Sequence, residues 1–258
     1  MNVTLIDYTG CGSPDPARHA ANVLVFTKQT RLEMKPNLFA QIEAWSDEKI
    51  IAELAYMANT IPSSWEFVEY KFLITDVTRA FTHQFVRTRT GSYAQQTMRV
   101  LNVDGWTYGY GPTTKPVQSI PFDAEDSAQA DRSAFYDSTM QMVANAYNDL
   151  IEMGAKIEDA RGVLPTNIHT NIVAKFSLRC VADMVRKRSS PRTQGEYREV
   201  LEAMRAEVIR VHPWASLFID RDFDRAAKDL DAAIAGSSLA PETKTAMMKL
   251  VDQLRAAS

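Results

Sequence analysis

The chain has 258 residues, 45% of them hydrophobic and 24% charged, with a formal net charge of -3. That balance suits one large buried core, and a negative sum excludes broad electrostatic binding to nucleic acid or an anionic membrane, since both need a positive field. Cys11 and Cys180 are the only cysteines, too few for a disulfide framework or a four-thiolate site, so no metal is expected. No basic-then-apolar leader and no apolar run of transmembrane length is present, which leads to the expectation of a soluble, cytoplasmic protein.

Val3 to Tyr8 predicts a short strand, and the glycine and proline cluster from Gly10 to Pro16 a loop. Ser46 and Asp47 are candidate caps for a helix in which Ile50, Ile51, Leu54 and Met57 share a face, with Pro62 beyond its end. Val68, Tyr70, Phe72 and Ile74 alternate with Glu69 and Lys71, the period of a half-buried strand. Val77, Phe81 and Phe85 then recur every four residues, predicting a helix over 77–87 that delivers Arg87 at its end. The polar stretch from Thr88 to Arg99 reads as loop.

A long helix is expected from about Ala128 to Met153, closed near Gly154. Ile168, Thr170, Ile172 and Ala174 suggest a strand, and Leu178, Val181 and Val185 a helix running to Arg186-Lys187-Arg188. Thr193 and Glu196 have capping-box spacing for a helix reaching about Val211, ahead of Pro213. Two amphipathic helices divided near Gly236 to Pro241 account for 221–256. Strands interleaved with helices, without a Gly-x-Gly-x-x-Gly turn or a P-loop, predict an α+β fold: a single domain with a mixed helix and sheet core.

Any phosphate must then be held by side chains and irregular backbone. Arg79, Arg87, Arg89 and Arg99 fall within 21 residues, beside His83, Gln84, Gln95, Gln96 and Thr97 and almost no acid. The guanidinium fork is always charged and matches phosphate bidentately, so the segment reads as an anion site. The other reading is a solvated helix end with isolated ion pairs. A second basic region, Arg161, Arg179, Arg186, Lys187, Arg188, Arg192 and Arg198, reads mainly as a solvated face. Arg179 is the exception, since it stands at a strand-to-helix transition beside Leu178 and Val181 and can point into a site. Cys180 reads as a small buried hydrophobe, with a thiolate activated by Arg179 as the alternative.

These stretches resemble the flavin-dependent thymidylate synthases, whose signature is Arg-His-Arg, seven residues, then Ser. Here Arg87-Thr88-Arg89 is followed after seven residues by Thr97, and Arg99 falls on a later arginine of the signature. The resemblance extends to Arg79-Ala-Phe-Thr-His83-Gln84, Ser63-Ser-Trp-Glu66, Ala160-Arg161-Gly-Val-Leu164-Pro165, Arg179, Gln194-Gly-Glu196-Tyr-Arg198 and Pro213-Trp214. Matches in this order over roughly residues 60 to 215 are more specific than a lone motif.

The resemblance implies a homotetramer with sites between subunits, each holding FAD, deoxyuridine monophosphate and methylenetetrahydrofolate, with NADPH as reductant. Carried over by position, Gln84, Gln95, Thr97, Arg99, Arg161 and Arg179 bind the nucleotide. Arg87, Thr88, Arg89, Ser177, Gln194 and Arg198 contact the cofactor, and Arg87 and Arg179 stabilise charge developing on the pyrimidine ring. Residues 1–218 are expected to form the catalytic domain and 219–258 a C-terminal helical extension packed on it.

The departures point the other way. Thr88 stands where the family has histidine, Ile61, Phe67 and Arg192 where histidines are frequent, Val100 where tyrosine is, and Ser177 replaces an asparagine. Three readings follow: C5 methylation of deoxyuridine monophosphate to thymidylate; C5 hydroxymethylation of a deoxypyrimidine monophosphate, dUMP or dCMP; and a nucleotide-binding homologue without catalysis.

Overall fold

The computed structural model describes residues 1–32, 34–99, 127–188, 193–220 and 230–257, with the backbone alone for 127–133 and 255–257. It is α+β. Four strands, β1 (Asn2–Tyr8), β2 (Glu69–Thr78), β3 (Ser92–Gln95) and β4 (His169–Ser177), form one sheet in the order β1-β2-β4-β3. The chain divides into two compact units, one of Met1–Asp7, Tyr70–Phe176 and Arg188–Met204, the other of Tyr8–Glu69, Ser177–Lys187 and Arg205–Ser258.

The first unit is built on the sheet. Strand β2 buries Tyr70, Phe72 and Ile74, and β4 buries Thr170, Ile172, Ala174 and Phe176, the alternation expected when one face meets a core. Helix α4 (Arg79–Phe85) adds Phe81 and Phe85, and the opening turns of α8 (Gly195–Val211) add Tyr197. Ring centroids lie 4.9 Å apart for Phe81–Phe85, 5.3 Å for Phe81–Tyr197 and 5.4 Å for Phe85–Phe176. Each buried ring contributes roughly 1.5–3 kcal/mol from area alone. Helices α5 (Ser127–Glu152) and α6 (Ile157–Ala160) meet at a smaller cluster around Tyr147 and Ala160.

The second unit is mainly helical. Helix α1 (Pro16–Gln29) is capped by Asp15, which accepts from the Arg18 N–H at 2.9 Å. Helices α2 (Leu38–Glu43) and α3 (Asp47–Thr60) follow, and a 3-10 turn, Pro62–Phe67, leads on from α3. Arg18 joins α1 to the start of α3 by donating to Asp47 Oδ1 and to Trp45 O, both at 2.5 Å. Helices α7 (Leu178–Arg188) and α9 (Ser216–Ile219) complete this core, Trp65 meeting Phe218 edge-on at 5.0 Å. Residues 230–236 are helical, and α10 (Pro241–Ala257) packs Val251 against Ile234.

Several expectations need correction. Val77 is a strand residue, because β2 runs on to Thr78 past Asp76, which takes φ 56° while Asn171 accepts its N–H at 3.2 Å. The four-residue repeat from Val77 thus crosses a strand–helix junction, and α4 starts only at Arg79. The polar stretch 88–99 contains β3, whose edge position asks little apolar content. Helix α1 was not expected, although Asp15-Pro16 is a capping pair and Ala20, Ala21, Leu24 and Val25 form its buried stripe. Helix α8 begins at Gly195, so Gln194 holds the cap position and the Thr193–Glu196 box does not form. Val100, Arg192 and residues 221–229 lie outside the described residues.

Candidate functional site

The arginine segment begins where β2 ends. Thr78 caps α4, its hydroxyl accepting the Phe81 N–H at 3.1 Å. Both of Thr78's own donors go to one acid: its N–H to Glu196 Oε1 at 2.9 Å and its hydroxyl to Glu196 Oε2 at 2.5 Å. Glu196 stands in the first turn of α8, 118 residues away. Further backbone bonds, Arg79 N–H to Ile168 O at 3.0 Å and Ala80 N–H to Thr166 O at 2.8 Å, tie the helix start to the segment before β4.

The other end of α4 tightens into successive turns, with Arg87 N–H donating to Gln84 O and Thr88 N–H to Phe85 O, each at 3.1 Å. Carbonyls at a helix end lack intrahelical partners. Here the Tyr93 hydroxyl fills that gap, 2.7 Å from Thr88 O and 3.1 Å from Phe85 O. Between them Gly91 passes so close to the core that an added Cβ would lie 2.3 Å from Phe176 Cε1 and 2.7 Å from the Tyr93 hydroxyl. Only glycine fits there without displacing an aromatic ring.

Strand β3 runs antiparallel to β4, with Tyr93 opposite Ala174 and Gln95 opposite Ile172. Both therefore turn to the buried face. Gln95 donates its amide to Thr82 Oγ1 at 2.9 Å, with Thr170 Oγ1 at 3.4 Å, while the Thr82 hydroxyl donates to Arg79 O. Beyond β3, Gln96 O accepts from Arg79 Nη2 at 2.7 Å and Gln96 Oε1 from Asn171 Nδ2 at 3.0 Å. Thr97 Oγ1 then accepts the Arg99 N–H at 3.1 Å, a local turn that fixes the backbone at Arg99.

What this scaffold presents is cationic. Gln84, Arg87, Arg89, Thr97 and Arg99 are exposed and Thr88 is half-buried. Among the described residues no carboxylate lies within ion-pair distance of Arg87, Arg89 or Arg99. The first unit also holds Arg161, whose Nε donates to Glu158 O at 3.1 Å, and exposed Arg198 on α8. Gln194 at the start of α8 keeps a buried Oε1 with no hydrogen-bond partner among the described residues, an acceptor that is costly to leave unsatisfied. The donor set, several guanidiniums free of acids beside backbone turns, fits phosphate and pyrophosphate oxygens.

Two expected site residues belong to the second unit and have partners there. Arg179 pairs with Glu66 at 2.7 Å. The Ser177 hydroxyl accepts the Cys180 N–H at 3.3 Å, the work of a helix cap at the start of α7. Buried Cys180 packs as a small hydrophobe. His83 is exposed in the last turn of α4. His169 is half-buried, and burial lowers its pKa while Glu196 and Asp76 act in the opposite direction. The groups that shape the arginine segment but escape sequence reading are Thr78, Tyr93 and Asn171, and Glu196, expected to cap its own helix with Thr193, instead holds Thr78. Of the three missed groups, Thr78 carries a local signal, a threonine immediately before a helix.

The family described as thymidylate synthase complementing protein matches residues 4–214. A flavin-dependent thymidylate synthase of Geobacter sulfurreducens is 32% identical over 223 residues, spanning 86% of each chain. One from Sulfolobus acidocaldarius is 34% identical over 153 residues, 58% of this chain and 54% of that protein. Among solved structures, thymidylate synthase X of Helicobacter pylori with FAD and dUMP aligns with a TM-score of 0.57 and 17% identity, covering 86% of this chain and 98% of that one.

Proposed function

The chain belongs to the thymidylate synthase complementing protein family, and from that premise we propose that it is a flavin-dependent thymidylate synthase, methylating C5 of deoxyuridine monophosphate to give thymidylate. The observation that carries the reading is the set of exposed guanidiniums at Arg87, Arg89 and Arg99, which lack acid partners among the described residues and sit on a segment braced at both ends.

In this reading Arg99 and Thr97 take the nucleotide phosphate, and Gln84 and Gln95 line the pocket. Arg161 and Arg179 close on the nucleotide, which requires Arg179 to exchange or share its bond to Glu66. Arg87 and Arg179 stabilise negative charge that develops on the pyrimidine ring, a task for which a fixed cation in a water-poor site is suited. Arg87, Thr88, Arg89, Ser177, Gln194 and Arg198 hold FAD, the unpartnered Gln194 Oε1 being suited to an N–H donor on the ligand. FAD when bound supplies the hydride chemistry that the side chains cannot. Methylenetetrahydrofolate as one-carbon donor and NADPH as reductant complete the balance of a reductive methylation.

We read the assembly as a homotetramer in the cytoplasm. The spread of the candidate site residues from Gln84 to Arg198 along the sequence supports a site composed from several segments. Among the described residues no helix is long and apolar enough to cross a membrane. The end of the family match at residue 214 supports reading 1–218 as the catalytic domain and 219–258 as an extension.

Thr88 keeps a second reading open. A hydroxyl in place of an imidazole removes proton exchange near neutral pH, which favours addition of water to the transferred one-carbon unit in place of the last reduction, releasing a hydroxymethyl nucleotide from dUMP or dCMP. Incubation with FAD, NADPH, methylenetetrahydrofolate and either nucleotide, followed by mass analysis, decides. Thymidylate from dUMP is the expected product. A product heavier than thymidylate by one oxygen replaces methylation with hydroxymethylation, and binding without any product leaves a nucleotide-binding homologue.

A further inference from the structure

We propose that Glu196 is a positioning residue for the nucleotide-binding arginines, acting through Thr78; the inference rests on the reading of Arg87, Arg89 and Arg99 as the nucleotide and flavin segment. A threonine at a helix cap has an N–H and a hydroxyl, and the hydroxyl oxygen also accepts from the first turn. Here all three are used: the oxygen accepts the Phe81 N–H, and both donors end on the two oxygens of one carboxylate. A bidentate contact of this kind fixes both the position and the rotation of the cap, which a single bond does not.

The restraint has somewhere to go. Helix α4 is only seven residues long, Arg79 to Phe85, and Phe81 and Phe85 are fully buried. A short helix whose aromatic side is packed transmits a tilt at its start to its end as a rigid body. Its end is the turn carrying Arg87, Thr88 and Arg89, where Tyr93 supplies the opposing clasp on Phe85 O and Thr88 O. Glu196 is anchored in turn by its neighbour Tyr197, which is buried against Phe81 and Phe85. The carboxylate also lies at the helix's positive end, where a negative charge is favoured. No phosphate or flavin need touch Glu196; it acts through Thr78.

The test uses the full-length protein and four variants, Glu196→Gln, Thr78→Val, Thr78→Ser and the Glu196→Gln/Thr78→Val double. Amide hydrogen exchange over 81–89 reads the helix without any ligand, thermal unfolding reads overall stability, and dUMP titration reads the site. We expect faster exchange over 81–89 and about tenfold weaker dUMP binding in Glu196→Gln and Thr78→Val, the scale of one lost charge-assisted hydrogen bond. Thermal midpoints should fall by only about 2–4 °C, the scale of one lost cap in a chain of this size, and Thr78→Ser, which keeps the hydroxyl, should keep wild-type affinity. The double variant should lose less than the sum of the two single losses, since both substitutions remove the hydroxyl-to-carboxylate bond.

Unchanged exchange over 81–89 in Glu196→Gln overturns the proposal, as does wild-type dUMP affinity in that variant. Fully additive losses in the double variant overturn it too, because they assign the two residues independent roles. If wild type itself binds no dUMP, the functional reading fails. The exchange comparison then still decides whether Glu196 holds α4.

Discussion

The backbone at Arg99 is set by the turn in which Thr97 Oγ1 accepts its N–H, while its guanidinium stays exposed and without an acid among the described residues. Replacing Arg99 with alanine therefore removes a charge-assisted contact and little else. Nucleotide affinity should fall roughly tenfold to a hundredfold, with flavin affinity far less affected; calorimetric titration of both ligands checks the split. At Thr88 the carbonyl, not the side chain, is what Tyr93 and Gly91 hold, so exchange of the side chain leaves the turn standing. Thr88→His should be tolerated or should raise turnover, with thymidylate as product in both forms by mass spectrometry; a hydroxymethyl product from wild type, impaired by the substitution, would reverse the assignment. The arginines were legible because charge without matching acid is a local property of the sequence. The cap-to-acid link from Thr78 to Glu196 was not, since neither residue is unusual in its own neighbourhood and only folding brings them together across 118 residues.

Elements were legible where pattern and backbone agreed. Strand β2 announced itself through Tyr70, Phe72 and Ile74, with Val68 buried just ahead of it, and α3 through Ile50, Leu54 and Met57, although Ile51, expected on the same face, is exposed. Reading failed at junctions: Val77 keeps the helical repeat while its backbone is still strand, and β3 carries a single aromatic in four residues. The close approach at Gly91 gives β3 its sharpest test. Gly91→Ala should destabilise by about 1–3 kcal/mol through overpacking against Phe176 and Tyr93, whereas Gly236→Ala, where an added Cβ meets nothing within 4 Å, should change stability little. Chemical denaturation of both variants checks this, and equal stability of the two would show that Phe176 yields. The pairing of β3 with β4 also gives the spacing between Arg89 and Thr97 a physical cause. One residue more or less would send Tyr93 and Gln95 to the opposite face and release both the clasp and the Thr82 contact.

At the scale of the whole molecule, the buried imidazole of His212 makes stability depend on acid. It stacks on Trp214 with ring centroids at 5.2 Å and meets Tyr8 edge-on at 5.5 Å. Burial pulls its pKa from 6.5 down to about 4, with backbone hydrogen bonds at Thr9 and Pro16 acting the other way. The unfolded chain thus takes up a proton that the folded one refuses between those values. Stability should be fully present above about pH 6.5 and decline on the order of 3 kcal/mol as pH falls to about 4. Thermal midpoints measured across that range should drop less steeply for His212→Asn; parallel curves would remove His212 from the account. The path of the chain carries a further consequence. It passes between its two units five times, after Asp7, Glu69, Phe176, Lys187 and Met204. No single cut separates one unit from the other, so neither can be gained, lost or exchanged by joining gene segments end to end.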